Sequence, residues 1–142
     1  MAFKLKVPNN PRIEMYMRAA STAYTINSLV AADGDNSTRA FVVATSSTVQ
    51  HLGVLQRTVA ATDSNYATAT KEPILVDEDG IWEVDVLAGT PTADYEMYKC
   101  DLNSHLGLNA GATSVKAFAI TGFVSATKLH GKITTWFGRN AS

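Results

Sequence analysis

Three consecutive acids, Asp77, Glu78 and Asp79, stand before Gly80 in "LVDEDGIWEV", and a second pair, Asp33 and Asp35, opens "DGDNSTRAFVVA". Clustered carboxylates are what a hard cation such as calcium needs, and a calcium loop sets acids or amides at positions 1, 3 and 5, glycine at 6 and glutamate at 12. In the first-occurring cluster Asp33 and Asp35 fit, but Ser37, Thr38 and Ala44 fill the other places. In the later one, counted from Asp77, the third ligand falls on Ile81 and the twelfth on Ala88. Spacing therefore argues against calcium. Turn chemistry explains both clusters: Asp-Gly tolerates positive φ, and flanking acids keep a tight loop in water. The expectation is a solvated hairpin tip at residues 77–80 and another at residues 33–37.

The remaining reactive residues form no motif. His51, His105 and His130 lie far apart in sequence with no HxH, HExxH or CxxC spacing, so they read as hydrogen-bonded surface residues rather than zinc ligands. Cys100, the single cysteine, reads as a small buried hydrophobe and permits no intrachain disulfide. The Ser-x-x-Lys match at Ser125 and Lys128 lacks its companion motifs and sits in a strand-like run, where residues three apart face opposite sides. "LHGKITTW" has the Gly-Lys of a phosphate loop without its upstream glycine or helix. No catalytic residue, metal ligand or cofactor is expected, and the chain is read as a non-enzyme. Trp82, Tyr95, Tyr98, Phe123, Trp136 and Phe137 are scattered over several runs without interleaved bases, so no nucleic-acid groove is expected; they serve either as core or as a sugar-stacking platform.

Composition bounds what must position these residues. With 142 residues, 46% apolar and 18% charged, the chain has the content of one globular domain. No run approaches the roughly 18 apolar residues of a membrane helix, and "MAFKLKVPNNP" lacks a secretion signal's apolar core. A membrane partner and an export route are not expected. Net charge is -1, but residues 1–22 hold four bases against one acid, leaving eight bases and twelve acids for the rest. A basic segment thus precedes an acidic body.

The apolar runs are short, β-branched and separated by Gly, Asn, Asp and Ser, which is the pattern of many short strands. "TINSLV" (25–30), "AFVVAT" (40–45), "HLGVLQRTV" (51–59) and "PILVD" (73–77) are the first four. In "IWEVDV" Trp82, Val84 and Val86 face one way and Ile81, Glu83 and Asp85 the other, as in a half-buried strand. "YEMYKCDL" (95–102) is either a strand or a short helix. Residues 114–137 supply two or three closing strands, with Gly122 and Gly131 marking bulges or bends. With no long 3.6-period segment between strands, meander or Greek-key connections are expected. The fold class is all-β, a small barrel or sandwich of short antiparallel strands with an extended N-terminal arm, residues 23–142 forming a single β domain.

Residues 1–22 differ from the rest. Pro8 and Pro11 favour extended backbone around Asn9 and Asn10, and Ile13, Met15 and Met17 then alternate with Glu14, Tyr16 and Arg18. Such a stripe belongs either to an edge strand of the chain's own barrel or to an arm laid on a neighbouring subunit, and in the second case its removal leaves the fold intact.

The stretches "VVATSSTVQHLGVLQRTVAATDSNYATATKEPILVDEDGIWEVDV" and "LNAGATSVKAFAITGFVSATKLHGKI", spanning roughly residues 40–133, give the chain a texture that resembles tailed-bacteriophage capsid decoration proteins. The resemblance is one of style and segment order. It implies a small β-barrel or sandwich, made in the host bacterial cytoplasm, that binds the exterior of the head as a dimer or trimer and clamps the major capsid protein. Family knowledge brings no catalytic residues. On this reading the candidate contacts are Phe3, Lys4, Lys6, Arg12, Ile13, Met15, Met17 and Arg18. The alternative is a carbohydrate- or receptor-binding module of a head fibre or tail, using exposed Trp and Tyr.

Overall fold

A computed structural model describes residues 2–32, 40–48 and 50–137. The chain is all-β, with strands β1 (Phe3–Val7), β2 (Arg12–Met17), β3 (Leu29–Ala32), β4 (Phe41–Val43), β5 (His51–Leu55), β6 (Lys71–Val76), β7 (Ile81–Ala88), β8 (Lys99–Ser104), β9 (Gly107–Asn109), β10 (Phe118–Ser125) and β11 (Lys128–Ile133). Strands β7, β11, β10, β8 and β9 follow one another around a closed five-stranded barrel, and β9 returns to β7 as a parallel pair through Val86↔Leu108 and Ala88↔Asn109. Strand β1 adds to the N-terminal half of the β7 edge whose C-terminal half β9 occupies. A second antiparallel sheet runs β2-β6-β5-β3-β4, and a bridge from Arg18 to Phe41 links its two outer strands.

Alternation decides which side chains fill the barrel. Trp82 and Val84 are fully buried, while Ile81, Glu83 and Asp85 on the other face of β7 stay half-exposed. They join Phe3, Cys100, Leu102, Leu108, Phe118, Ile120, Leu129 and Ile133 in one core, to which the second sheet contributes Leu29 and Val54. The opposite face of that sheet covers a second core of Tyr24, Val30, Phe41, Leu52, Leu55, Val59, Ile74 and Val76. Strand β5 lies between these two cores, so all five of its residues are buried. Both glycines expected to shape the barrel do so differently. The register of β10 against β11 slips at Gly122, a bulge; Gly131 lies against the Ala119 carbonyl and the Phe118 ring, where a Cβ has no room.

Residues 77–80 are a corner between sheets rather than a hairpin tip. Strands β6 and β7, which they join, belong to different sheets, as do β1 and β2. Because β1 pairs with β7 and β2 with β6, the four form one two-stranded ribbon that bends from barrel to second sheet. Asp77 is completely buried in the bend, its Oδ2 accepting the Asn9 N–H at 2.8 Å and its Oδ1 the Asn10 N–H at 3.2 Å. Both tryptophans brace the same corner, Trp82 Nε1 donating to the Asp77 carbonyl and Trp136 Nε1 to that of Glu78. Gly80 serves here by its size, since a Cβ would stand 2.7 Å from the Asp77 carboxyl carbon and 2.8 Å from Leu5 Cδ1. Its φ is not in the left-handed region the turn reading required.

Other boundaries also move. "TINSLV" becomes a strand only from Leu29, after a turn in which Asn27 has φ 68°, and the third run stops at Leu55. In "YEMYKCDL" the strand reading holds for the second half, which lies in β8, while a 3-10 turn, Ala93–Tyr95, overlaps the run only at Tyr95. Strand β9 was not anticipated. Strands β3 and β4 pair antiparallel as expected of neighbours, while the tip at residues 33–37 lies outside the described residues. The N-terminal segment is no free arm, and its striped strand is no barrel edge either: β1 is paired to β7 at the barrel, while β2 is paired to β6 in the second sheet. Removing residues 1–18 would strip Phe3 and Arg18 from the interior, contrary to the expectation that the fold survives it.

Asp77→Ala is expected to lower the unfolding free energy by about 3 kcal/mol, and Asp77→Asn by roughly half of that, because the amide keeps one acceptor oxygen. Urea denaturation followed by tryptophan fluorescence measures both. Equal stability for the alanine variant and the wild type would contradict the corner's role.

Candidate interaction surface

Strand β2 carries the surface feature that most needs explaining. Ile13, Met15 and Met17 share one face and are 55%, 52% and 39% exposed. Their partners across β6 are Leu75, Pro73 and Lys71, and Leu75 packs against the barrel core, so the stripe lies on the barrel-facing side. Because β2 is the outer strand, its apolar face overhangs the barrel instead of being covered by it. The register with β6 is regular over six pairs, with no bulge. Arg18 N–H donates to the Thr70 carbonyl, which turns the even-numbered backbone groups toward β6 and the odd ones toward the outer edge. Edge strands that are long, regular and apolar are surfaces that other chains pair with or pack upon.

The other expected contacts divide sharply. Lys4 and Lys6 are exposed on β1. Arg12 is exposed but already engaged, donating from Nε to Glu14 Oε1 and from Nη2 to Glu78 Oε1, each at 2.8 Å. Those carboxylates, Glu14 first, raise its pKa. Phe3 and Arg18 are fully buried and unavailable to any partner. Arg18 instead meets Glu72 at 3.1 Å, and its other nitrogens donate to the carbonyls of Ala19, Asn65 and Tyr66. Glu72 is also held by a two-pronged bond from Arg57, 2.8 Å to each oxygen, and by the Thr70 hydroxyl. The hydrogen bond from Arg57 is the main cause of a lowered Glu72 pKa, with burial opposing it. This network ties the 60–70 loop to β2 and β6. Glu72 and Arg57 carry no signal in the sequence because each lies far along the chain from its partner, and Asp77, which stands out as a turn acid, has its partners 67 and 68 positions away.

The candidate reactive groups are dispersed. Burial and the neighbouring Asp101 push the Cys100 thiol up to about 12, so it is an inert core residue. Asp101 itself accepts the N–H groups of Ser114, Val115 and Lys116 and so fastens that loop. Ser125 and Lys128 do not lie in one run facing opposite sides, as expected, but are register partners across the β10–β11 turn; Lys128 Nζ lies 3.6 Å from Asp85 and 3.9 Å from Glu83. His130 Nε2 lies 3.1 Å from Glu83, whose pKa this bond lowers. Among the described residues, no three His, Cys, Asp or Glu side chains are grouped to hold a metal ion. No described helix is long and apolar enough to cross a membrane. Trp82 and Trp136 are 0% and 3% exposed, which removes both from any sugar-stacking platform, whereas Tyr98 and Phe137 are well exposed.

His51 departs from the surface role expected of it. It is 1% exposed, and its Nδ1 lies 3.0 Å from the Thr135 carbonyl and 2.7 Å from the Thr135 hydroxyl. Burial lowers its pKa to about 4. No protein-family model matches the chain, and no curated protein matches it in sequence.

Two outcomes follow from the buried charges. Arg18→Met, leaving the Glu72 carboxylate buried with one fewer partner, is expected to cost about 3–5 kcal/mol in denaturant unfolding. Adding Glu72→Gln should recover part of that loss, and a double variant no better than the single would contradict the network. For His51 the unfolded chain binds a proton below the ordinary value of 6.5 and the folded chain does not until about 4. Folding stability therefore falls as pH drops from 6.5 to 4, by about 3 kcal/mol from this residue. His51→Gln should flatten that slope in a pH series of melts.

Proposed function

We propose that this chain is a structural, non-catalytic protein of a bacteriophage virion that binds the outer surface of the head and reinforces contacts between major capsid subunits. The observation that carries the reading is the exposed Ile13, Met15 and Met17 stripe on the regular outer strand β2. An apolar strip on a strand held by a buried corner is pre-ordered, so a partner gains the contact without the entropic cost of ordering an arm. The small barrel and the texture shared with capsid decoration proteins favour the same role. A capsid offers many copies of one site, and an oligomer of this chain engaging several at once would hold firmly through individually modest contacts. Lys4 and Lys6, exposed on β1, which precedes β2 across the bend on the same leg of the ribbon, suit an acidic rim on the partner.

Purified protein mixed with expanded heads lacking it should co-sediment at a stoichiometry set by the capsid lattice. Met15→Lys should reduce occupancy at least tenfold while shifting the melting temperature by only a few degrees, since Met15 is half-exposed. Failure of the wild type to co-sediment would overturn the proposal. Unchanged occupancy for Met15→Lys would remove the β2 stripe from it.

A further inference from the structure

The outer wall of the barrel carries a second surface feature, and it is one of charge. On β1, Lys4 stands opposite Glu83 of β7, and Glu83 stands opposite His130 of β11. Further along the same two strands Asp85 is opposite Lys128. On the other side of the wall Lys132 of β11 is opposite Ala119 of β10, which is opposite Lys99 of β8. Residues opposite one another in a sheet project from the same face. These side chains therefore share the solvent side, while their strand neighbours Phe3, Val84, Cys100 and Leu129 fill the interior. Lys6, in the bulge between Leu5 and Val7, reaches this side too: the Glu83 pKa is lowered first by the His130 bond and further by the charges of Lys6 and Lys128.

The two acids of the wall are engaged within it. His130 lies against Glu83, and Lys128 stands 3.6 Å from Asp85. What faces outward is cationic, since Lys4, Lys6, Lys99 and Lys132 are all exposed. Among the described residues no acid pairs with Lys99 or Lys132. These two lie two strands apart, about 10 Å. With Lys128 the wall sets five lysines against Glu83 and Asp85, on a chain whose net charge is -1. Its local field is opposite in sign to that of the whole molecule. The basic N-terminal segment supplies only Lys4 and Lys6 of this set; the barrel brings the others to it from residues 99–132.

We propose that this lysine wall docks on an acidic protein surface, that of a second capsid subunit beside the one that takes the β2 stripe. The inference rests on the head-binding reading above and adds the second contact that a clamp between subunits requires. Lys4 and Lys6 lie on β1 and the stripe on β2, so the two contacts are joined through the ordered corner at Asp77. The charge pattern selects the partner. A protein surface presents separate carboxylates, which can meet the lysines on both sides of β7 and leave Glu83 and Asp85 uncovered. A nucleic-acid backbone running from Lys4 to Lys132 would carry phosphates across those two acids, and no described arginine lies on the wall for two-pronged phosphate contact.

The test is sedimentation with expanded heads, using the full chain with Lys132→Glu, Lys132→Gln or Lys99→Glu. Both lysines are exposed, so melting temperatures should stay within a few degrees of the wild type. At about 50 mM salt each glutamate variant should lower affinity for the heads about tenfold and Lys132→Gln by less, and the losses should vanish at about 0.5 M, where surface charges are screened within a few ångströms. A wild type that binds at low salt together with two glutamate variants that bind equally well would overturn this inference alone. A wild type that does not sediment would overturn head binding and this inference together. Retardation of a short DNA duplex by the wild type, lost in Lys132→Glu, would overturn it in favour of a nucleic-acid partner.

Discussion

Asp77 stands at the point where two strands change sheets together. One carboxylate, withdrawn from water, receives the N–H groups of Asn9 and Asn10 at the very place where the ribbon β1-β2 and β6-β7 bends from barrel to second sheet. Such a bend leaves backbone donors without ladder partners, and an ionised acceptor forms stronger bonds with them than a neutral one. Much of the architecture follows from this pin. Fixing the bend lets Trp82 fill the barrel while donating to the corner, and it sets Leu75 and Val54 against the barrel core.

The same bend explains why an apolar strip is left in the open. Strand β2 is the outer strand of its sheet, so the face that is buried on β5 as Val54 and partly buried on β6 as Leu75 emerges into solvent on β2 at Ile13. Its other face is fastened by charge. Arg18 and Glu72 are both withdrawn from water, and Arg57 reaches both oxygens of the carboxylate from the surface side. A buried pair gives little net stability against an apolar pair of the same shape, but it tolerates only one arrangement of β2 against the 60–70 loop. The strand is thus rigid where it is apolar and exposed, which suits a contact surface better than a mobile arm would.

The corner and His51 hold the same C-terminal segment, since Glu78 lends its carbonyl to Trp136 and the His51 ring bonds to Thr135. The C-terminal segment is therefore held through two polar groups of the interior as well as by packing. Acid affects this junction through His51, whose neutral state is enforced by burial.

Much of this was present in the sequence in local form. Period-two alternation in "IWEVDV" gave β7 and its buried face, and the same rule marked Ile13, Met15 and Met17 as a stripe. Local rules work there because alternation is a property of neighbouring residues. What they could not give is the partner of each face. Asp77 looked like a solvated tip until β6 and β7 fell in different sheets; Arg18 looked like a surface base until Glu72, 54 positions away, met it in the interior. His51 looked exposed until Thr135, 84 positions away, closed over it. Burial of a charge or a ring is decided by long-range pairing, and a strand's own residues specify two faces without saying what will cover either. The sequence by itself determined an all-β chain with an apolar N-terminal stripe; the tertiary structure alone decided that the stripe stays uncovered while Arg18, Glu72 and Asp77 are buried.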